Sequence, residues 1–195
     1  MWSAPWCIIG YRQLAKALEA TGIAHEIHWH PFELNPRMSA DGQNLREHIA
    51  EKYGSSKEES EKSRGKMTEL GFEFRFADDM RMHNTFNIHQ FLHWAELHGR
   101  QHDLELAFFT AYFTHRRNLS DNTVLADVAV EIGLERTEAL AILDDQRFAR
   151  EVRNAENAWV NQGIRGVPTM IFNGRNLVTG AQGVENYTRI LEQLT

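Results

Sequence analysis

The sequence predicts an α/β fold in which a βαβ unit is interrupted by a large helical insertion. Helical periodicity covers the first 22 residues and most of the stretch from about 45 to 162, whereas extended apolar patterns occur near residues 23–32 and 166–179. The order is therefore helix, strand, helical block, strand, hairpin strand and helix. This order fits a sheet whose strands are separated in sequence by inserted helices.

Composition restricts the classes of protein that need to be considered. The 195 residues include 42% hydrophobic residues, enough for one large domain or one domain with an insertion. The net charge of -6 argues against a nucleic-acid-binding surface. The sequence contains no run of about 18 apolar residues, so no membrane-spanning helix is predicted. Because the first residues show neither a charged leader nor a hydrophobic signal core, we expect a cytoplasmic protein.

The N-terminal part predicts a helix followed by a short strand. Gly22 follows the helical pattern as its C-cap. Residues 23–32 alternate in part between apolar and polar side chains, and Pro31 ends this strand pattern. Turn signals fill residues 33–42. The apolar residues with helical spacing are Ile8, Ile9, Leu14, Ala15 and Leu18.

The helical block contains six predicted helices. Ser56 and Glu59 form a capping-box pattern that opens a charged helix toward Gly71, and residues 72–76 alternate as an extended connector. Residues 104–113 are apolar on nearly every side, which is typical of a buried helix. The other helices are predicted from Asn84 or Thr85 to Gly99, from Ser120 or Asp121 to Gly133, over 137–143 and over 145–162.

The C-terminal part predicts a β-hairpin and a last helix. Residues 166–172 indicate a buried strand entered through the Val167–Pro168 bond. Asn173-Gly174 is a strong signal for a tight hairpin turn, and residues 177–179 form the return strand. A terminal helix is predicted over residues 184–194.

Cys7 is the only cysteine, and it stands in Ala4-Pro5-Trp6-Cys7 at the start of the first helix. This is the frame of a Cys-x-x-Cys redox motif with alanine in place of the first sulfur. Dithiol exchange needs one thiol to attack and a second to resolve the mixed disulfide. The chain alone therefore cannot form an internal disulfide.

Four segments, in order along the chain, resemble the DsbA-like thioredoxin-fold family, on its FrnE-like branch. This branch is related to 2-hydroxychromene-2-carboxylate isomerase and to kappa-class glutathione transferases. The resemblance implies a thioredoxin-like fold with a large all-helical insertion. The segments are Ala4-Pro5-Trp6-Cys7-Ile8-Ile9-Gly10, Pro31-Phe32-Glu33-Leu34-Asn35-Pro36, Asn84-Thr85 with His89, and Gly163-Ile164 with Gly166-Val167-Pro168-Thr169 and Gly180-Ala181-Gln182.

The resemblance also implies the site residues. The attacking cysteine of the family falls at Ala4, which cannot ionise, and Cys7 stands at the resolving position. We expect a cis Val167–Pro168 bond, no metal and no cofactor, with glutathione as an open co-substrate alternative. The partners are expected to be thiol or disulfide peptides or small molecules, and a homodimer stays open. The expected substrate-binding residues are Pro5, Trp6, Val167, Pro168, Asn84 and His89.

The family pattern further implies two domains and a missing strand. Residues 1–38 and 155–195 would form a discontinuous thioredoxin-like domain, and residues 39–154 the helical insertion. In the family a strand directly precedes the motif, and here only three residues precede Ala4. We therefore expect a fold that lacks this first strand. A fragmentary sequence, a misplaced start and filling of the gap by other residues all stay open.

Several interpretations of Cys7, Ser3 and the histidine pairs stay open. Cys7 is either a small buried apolar residue or a thiol that forms a mixed disulfide with glutathione. Ser3 is offset by one residue from the catalytic serine of the glutathione-dependent relatives, so a capping or loop role is expected. The pairs His28/His30 and His89/His93 lack a metal-site pattern.

Three functions follow from these readings. The chain is a thiol–disulfide oxidoreductase with impaired dithiol activity, a glutathione-dependent isomerase or transferase, or a non-catalytic peptide-binding module.

Overall fold

Helices dominate the structure, a computed structural model that describes residues 5–39, 41–54, 65, 68–75 and 77–194, without the side chains of residues 52 and 53. The helices are α1 (Pro5–Thr21), α2 (Leu45–Tyr53), α3 (Phe86–Leu97), α4 (Gln101–Phe109), α5 (Asn122–Glu131), α6 (Arg136–Asp144), α7 (Ala149–Asn161) and α8 (Val184–Glu192). The strands are β1 (Gln43–Asn44), β2 (Arg81–Met82), β3 (Thr169–Phe172) and β4 (Asn176–Thr179). They form two antiparallel pairs, β1 with β2 and β3 with β4.

Helix α1 begins and ends where the sequence predicts. It starts at Pro5, and proline suits the first helical position because its missing N–H would have no partner there. It ends before Gly22, which has a φ of 65° and donates its N–H to the Leu18 carbonyl. Leu14, Ala17 and Leu18 form a small core with Tyr187 and Leu191 of α8. The N-terminal helix and its glycine stop are thus confirmed.

The C-terminal hairpin is also confirmed, but β3 begins at Thr169 rather than at residue 166 and is half-buried rather than buried. Thr169 faces Thr179, and Phe172 faces Asn176 at the turn. Asn173 and Gly174 have φ values of 50° and 67°, a left-handed conformation that asparagine and glycine tolerate best. Strand β4 begins one residue earlier than predicted.

The predicted strand over residues 23–32 is wrong, because the segment has no regular strand structure. At Trp29 the main-chain groups are hydrogen-bonded to a side chain and not to a neighbouring strand. The Trp29 N–H donates to Gln101 Oε1 (2.9 Å), and Gln101 Nε2 donates to the Trp29 carbonyl (2.9 Å). One amide replaces one peptide unit of a neighbouring strand, which is too little to build a ladder.

The helical block follows the predictions with two differences. Asn84 Oδ1 accepts the Phe86 N–H at the start of α3, and Asp121 accepts the Thr123 N–H at the start of α5. Helix α7 begins at Ala149 rather than near residue 145, because Gln146 adopts a φ of 50° and interrupts the helix. The short pair β1–β2 was not predicted. Most of the predicted helix from Ser56 to Gly71 lies outside the described residues, as does Phe76 of the predicted connector.

The main core lies among the helices of the block. The predicted burial of residues 104–113 is confirmed, and α4 continues into one π-helical turn, Thr110–Thr114. Within the described part of the chain, no helix combines the length and the apolar character that a membrane crossing requires. The large aromatic residues that are fully buried are Phe91, Trp94, Phe108, Phe109, Phe113 and Tyr187.

Candidate functional site

Cys7 lies in the first turn of α1 and is almost completely buried. Its exposed fraction is 2%, whereas the neighbouring Trp6 is 42% exposed and Pro5 is half-buried. Burial raises the pKa of the Cys7 thiol to about 12, and the charge of Glu105 acts in the same direction. At neutral pH the sulfur is therefore a thiol, which is a poor nucleophile. Ala4 lies outside the described residues, as does Ser3.

Pro168 packs against the same end of α1. A Cβ atom at Gly10 would lie 3.1 Å from Pro168 Cγ and 3.3 Å from Met170 Cε, so the glycine permits this close approach. The Val167–Pro168 peptide bond is cis. Cys7, Val167 and Pro168 line one common cavity. The structure thus brings together two distant segments that the sequence singled out.

This cavity, which we call the slot, has a volume of about 1010 Å³. It lies between the extended segment 23–32 on one side and β3 with its turn on the other. Tyr11, Leu14 and Leu18 contribute side chains from α1. Of the described residues that line the slot, none is Pro5, Trp6, Asn84 or His89.

Glu105 is a buried acid that the sequence analysis missed. It is fully buried, and neither of its carboxyl oxygens has a hydrogen-bond partner among the described residues. Burial raises its pKa to about 8. The Tyr11 hydroxyl and His102 Nε2 are hydrogen-bonded (3.2 Å). Cys7 lies one turn from Tyr11 on α1, and Glu105 lies one turn from His102 on α4. The sequence signal that could have indicated this buried acid is the single glutamate in the otherwise apolar stretch 104–109.

Asn84 lies two residues before α3 and His89 lies on α3, and neither of them lines the slot. Asn84 Oδ1 accepts the N–H of Phe86, the first residue of the helix. His89 is buried, and burial holds its pKa well below the ordinary value while a hydrogen bond with the Phe32 backbone opposes this effect. The ring is therefore neutral at pH 7. Its Nε2 has no hydrogen-bond partner within the described part of the chain.

An ion-pair cluster with buried carboxylates and a half-exposed arginine fixes the segment after Phe32 to α7. Arg153 binds both Glu33 and Glu156, and its guanidinium carbon lies 3.8 Å from the centroid of the Phe86 ring. The Glu33 N–H donates to Glu156 Oε1. This cluster also holds the Phe32 backbone that contacts His89. No pattern along the sequence indicated the cluster, because Glu33 lies 120 residues or more from both of its partners.

Among residues that the structure describes, no group of three or more histidine, cysteine, aspartate or glutamate side chains is arranged to hold a metal ion. The His30 ring instead packs on Trp159 at a centroid distance of 4.7 Å.

Known proteins resemble this chain over nearly its whole length. A probable DsbA oxidoreductase from Streptomyces coelicolor, SCO1869, is 32% identical with a TM-score of 0.88, covering 98% of this chain and 85% of that chain. A 2-hydroxychromene-2-carboxylate isomerase is 15% identical with a TM-score of 0.72, covering 99% and 92% of the two chains. The cytosolic disulfide reductase DsbM from Pseudomonas aeruginosa with GSH is 15% identical with a TM-score of 0.62, covering 98% and 94%.

The last two likenesses show the fold alone, whereas the first also carries substantial sequence identity. Residues 3–192 match the family described as DSBA-like thioredoxin domain. The match confirms the predicted resemblance and the thioredoxin-like fold with inserted helices. The chain belongs to the DSBA-like thioredoxin domain family.

Proposed function

We propose that this chain is a DsbA-family thiol–disulfide oxidoreductase whose dithiol exchange is impaired. The observation that carries the proposal is the state of its single thiol, at Cys7. Cys7 is buried beside the cis-proline loop, and its pKa of about 12 keeps it protonated. A second cysteine that could resolve a mixed disulfide does not occur in the sequence.

The remaining chemistry would be slow formation of a mixed disulfide at Cys7. The thiol loses its proton to solvent, and the thiolate sulfur attacks one sulfur of a small disulfide such as glutathione disulfide. The S–S bond of that disulfide breaks, and one glutathione leaves as a thiolate. Release of the second glutathione then needs another external thiol.

Insulin reduction by dithiothreitol tests this proposal. We expect the chain to accelerate insulin precipitation little or not at all, and Ala4→Cys to recover part of the activity. Ala4→Cys combined with Cys7→Ala is the matched control, because it restores the first sulfur without the second. Equal acceleration by the unchanged chain and by Ala4→Cys would contradict the proposal.

A glutathione-dependent isomerase or transferase is the second candidate. It needs the cis-proline loop and a helix N-terminus that attracts an anion, but not two thiols. The likeness to an isomerase fold and to DsbM with GSH supports it. Calorimetric titration with reduced glutathione tests it, because no heat of binding at millimolar concentration would rule against this candidate.

The third candidate is a non-catalytic peptide-binding module, with Val167 and Pro168 beside an extended ligand. For all three candidate functions we propose the same two domains, residues 1–38 with 155–195 and an insertion over 39–154. We also propose a cytoplasmic location and thiol-containing peptide or small-molecule partners. Pro5 and Trp6 flank the motif, and Asn84 and His89 are the further substrate-binding residues that we propose.

A further inference from the structure

Three hydrogen bonds tie the segment 23–32 to the start of α4, and Trp29 makes all three. Its main-chain N–H donates to Gln101 Oε1 and its carbonyl accepts from Gln101 Nε2, both at 2.9 Å. Its indole Nε1–H donates to His102 Nδ1 at 3.0 Å. Gln101 and His102 are the first two residues of α4. Trp29 therefore links the segment to the helical block.

The partners of His102 determine which ring nitrogen carries its proton. An indole N–H can only donate a hydrogen bond, so His102 Nδ1 is an acceptor and carries no hydrogen. A neutral imidazole then has its hydrogen on the other nitrogen. His102 Nε2–H therefore donates to the Tyr11 hydroxyl oxygen at 3.2 Å. The hydrogen bonds of the cluster thus allow one tautomer of the neutral ring, the Nε2–H form.

A second proton on the His102 ring is incompatible with the bond from Trp29. The charged imidazole has an N–H on both nitrogens and accepts no hydrogen bond. Its Nδ1–H would point at the Trp29 indole N–H, so two donors would face each other. The bond to Tyr11 would survive, because Nε2 donates in both states. Protonation of His102 thus breaks one bond of the cluster, the one that reaches the segment 23–32.

The surroundings of the half-buried His102 ring keep it neutral at pH 7. Burial lowers the pKa of His102, the carboxylate of Asp103 opposes this effect, and the neighbouring His25 lowers the pKa further. On α1, burial raises the pKa of Tyr11, so that its hydroxyl is uncharged. The titratable and charged groups around the ring are Asp103 on α4, His25 on the segment 23–32, and Tyr11 with the adjacent Arg12 on α1.

We propose that the Trp29–His102 contact is an acid-sensitive switch, in which protonation of His102 at Nδ1 releases the Trp29 indole and loosens the attachment of the segment 23–32 to α4. The switch goes beyond the proposed function and does not depend on the redox chemistry of Cys7. Neither Gln101 nor His102 lines the slot. The contact therefore lies on the side of the segment that faces α4, and it does not depend on what lies in the slot.

Nuclear magnetic resonance of the full chain labelled with ¹⁵N tests this proposal. The indole signal of Trp29 is identified by its loss in Trp29→Phe. We expect this signal to shift between pH 7.5 and pH 4.5 with one midpoint, below the ordinary histidine value of 6.5. The Trp29 main-chain N–H, which is bonded to Gln101, should be at least tenfold less protected from hydrogen exchange on the acid side of that midpoint than at pH 7.5.

Two variants separate His102 from the other histidines. In His102→Asn the side-chain oxygen can take the place of Nδ1 and accept the Trp29 indole N–H, but it does not titrate. The Trp29 signal should then stay constant with pH, and the protection of its main-chain N–H should change less than twofold. His115→Asn is the matched control, because it removes an exposed histidine outside the cluster. It should leave the transition of the unchanged chain as it is.

Four outcomes would overturn the proposal. They are a Trp29 signal that does not titrate, an equal transition in His102→Asn, a transition without loss of Trp29 main-chain protection, and global loss of helical circular dichroism at the same midpoint. The ring nitrogens of His102 in the unchanged chain keep the test decisive even where His102→Asn fails to fold. Their ¹⁵N signals at pH 7.5 should show a hydrogen on Nε2 and none on Nδ1, and the opposite tautomer would contradict the proposal.

Discussion

Replacement of the buried acid by its amide, Glu105→Gln, should stabilise the protein in a strongly pH-dependent way. Glu105 is fully buried without a hydrogen-bond partner among the described residues, and burial raises its pKa from 4.5 to about 8. The folded protein therefore holds a proton at neutral pH that the unfolded chain has released. Glutamine has the shape of the protonated acid but requires no proton.

The size of the effect follows from the two pKa values. A group whose folded pKa is raised favours folding fully below its unfolded pKa, and this contribution is lost as the pH rises toward the folded pKa. Between pH 4.5 and pH 7 the loss is 1.36 kcal/mol per pH unit, or about 3 kcal/mol in total. We expect Glu105→Gln to be more stable than the unchanged chain by about 3 kcal/mol at pH 7 and by little at pH 4.5.

Urea unfolding at several pH values, followed by circular dichroism, measures this difference. Glu19→Gln is the matched control, because it removes one carboxylate from an exposed position of α1. The control should show no comparable rise in relative stability between pH 4.5 and pH 7. A constant difference between Glu105→Gln and the unchanged chain across this range would refute the reasoning, since it would mean that the acid is ionised in the folded state.

Other predictions concern Cys7 and the ion-pair cluster. N-ethylmaleimide should modify Cys7 at pH 7 about 10³-fold more slowly than a thiol of pKa 9.0, because the thiolate fraction falls with the raised pKa. Mass spectrometry of samples quenched at successive times measures this rate. A rate like that of free cysteine would contradict the prediction. Glu105→Gln should speed the same modification at pH 9, because the negative charge near the sulfur is gone. Arg153→Met should destabilise folding by about 1–3 kcal/mol in urea unfolding, because it removes the cation that pairs with two buried carboxylates. Arg175→Met is the control, because Arg175 is exposed. Equal stability of both variants would count against a role for the cluster.

The sequence predicted those elements whose stability is local. The helix stop at Gly22, the Asp121 cap and the Asn173-Gly174 turn depend on a few neighbouring residues, and the structure has all three. The strand predicted over residues 23–32 failed because strand structure needs a hydrogen-bonded neighbour, which no pattern within the segment can supply.

The candidate site was only half visible in the sequence. The family segments led to Cys7 and Pro168, which the structure places around one slot. Glu105 and the Arg153 cluster depend on contacts between distant helices, so spacing along the chain could not reveal them. Asn84 and His89 were inferred from the resemblance. In the structure Asn84 accepts the Phe86 N–H, and His89 contacts the backbone of Phe32, which lines the slot.

Mass spectrometry of the chain under non-reducing conditions, after incubation with glutathione disulfide, tests the central claim most directly. We expect slow addition of one glutathionyl group, located at Cys7 by digestion and absent in Cys7→Ala. This adduct should persist until an external thiol is added, because the chain has no second cysteine thiol to displace it. Rapid modification at pH 7, or steady turnover of glutathione disulfide without an added thiol, would contradict the claim.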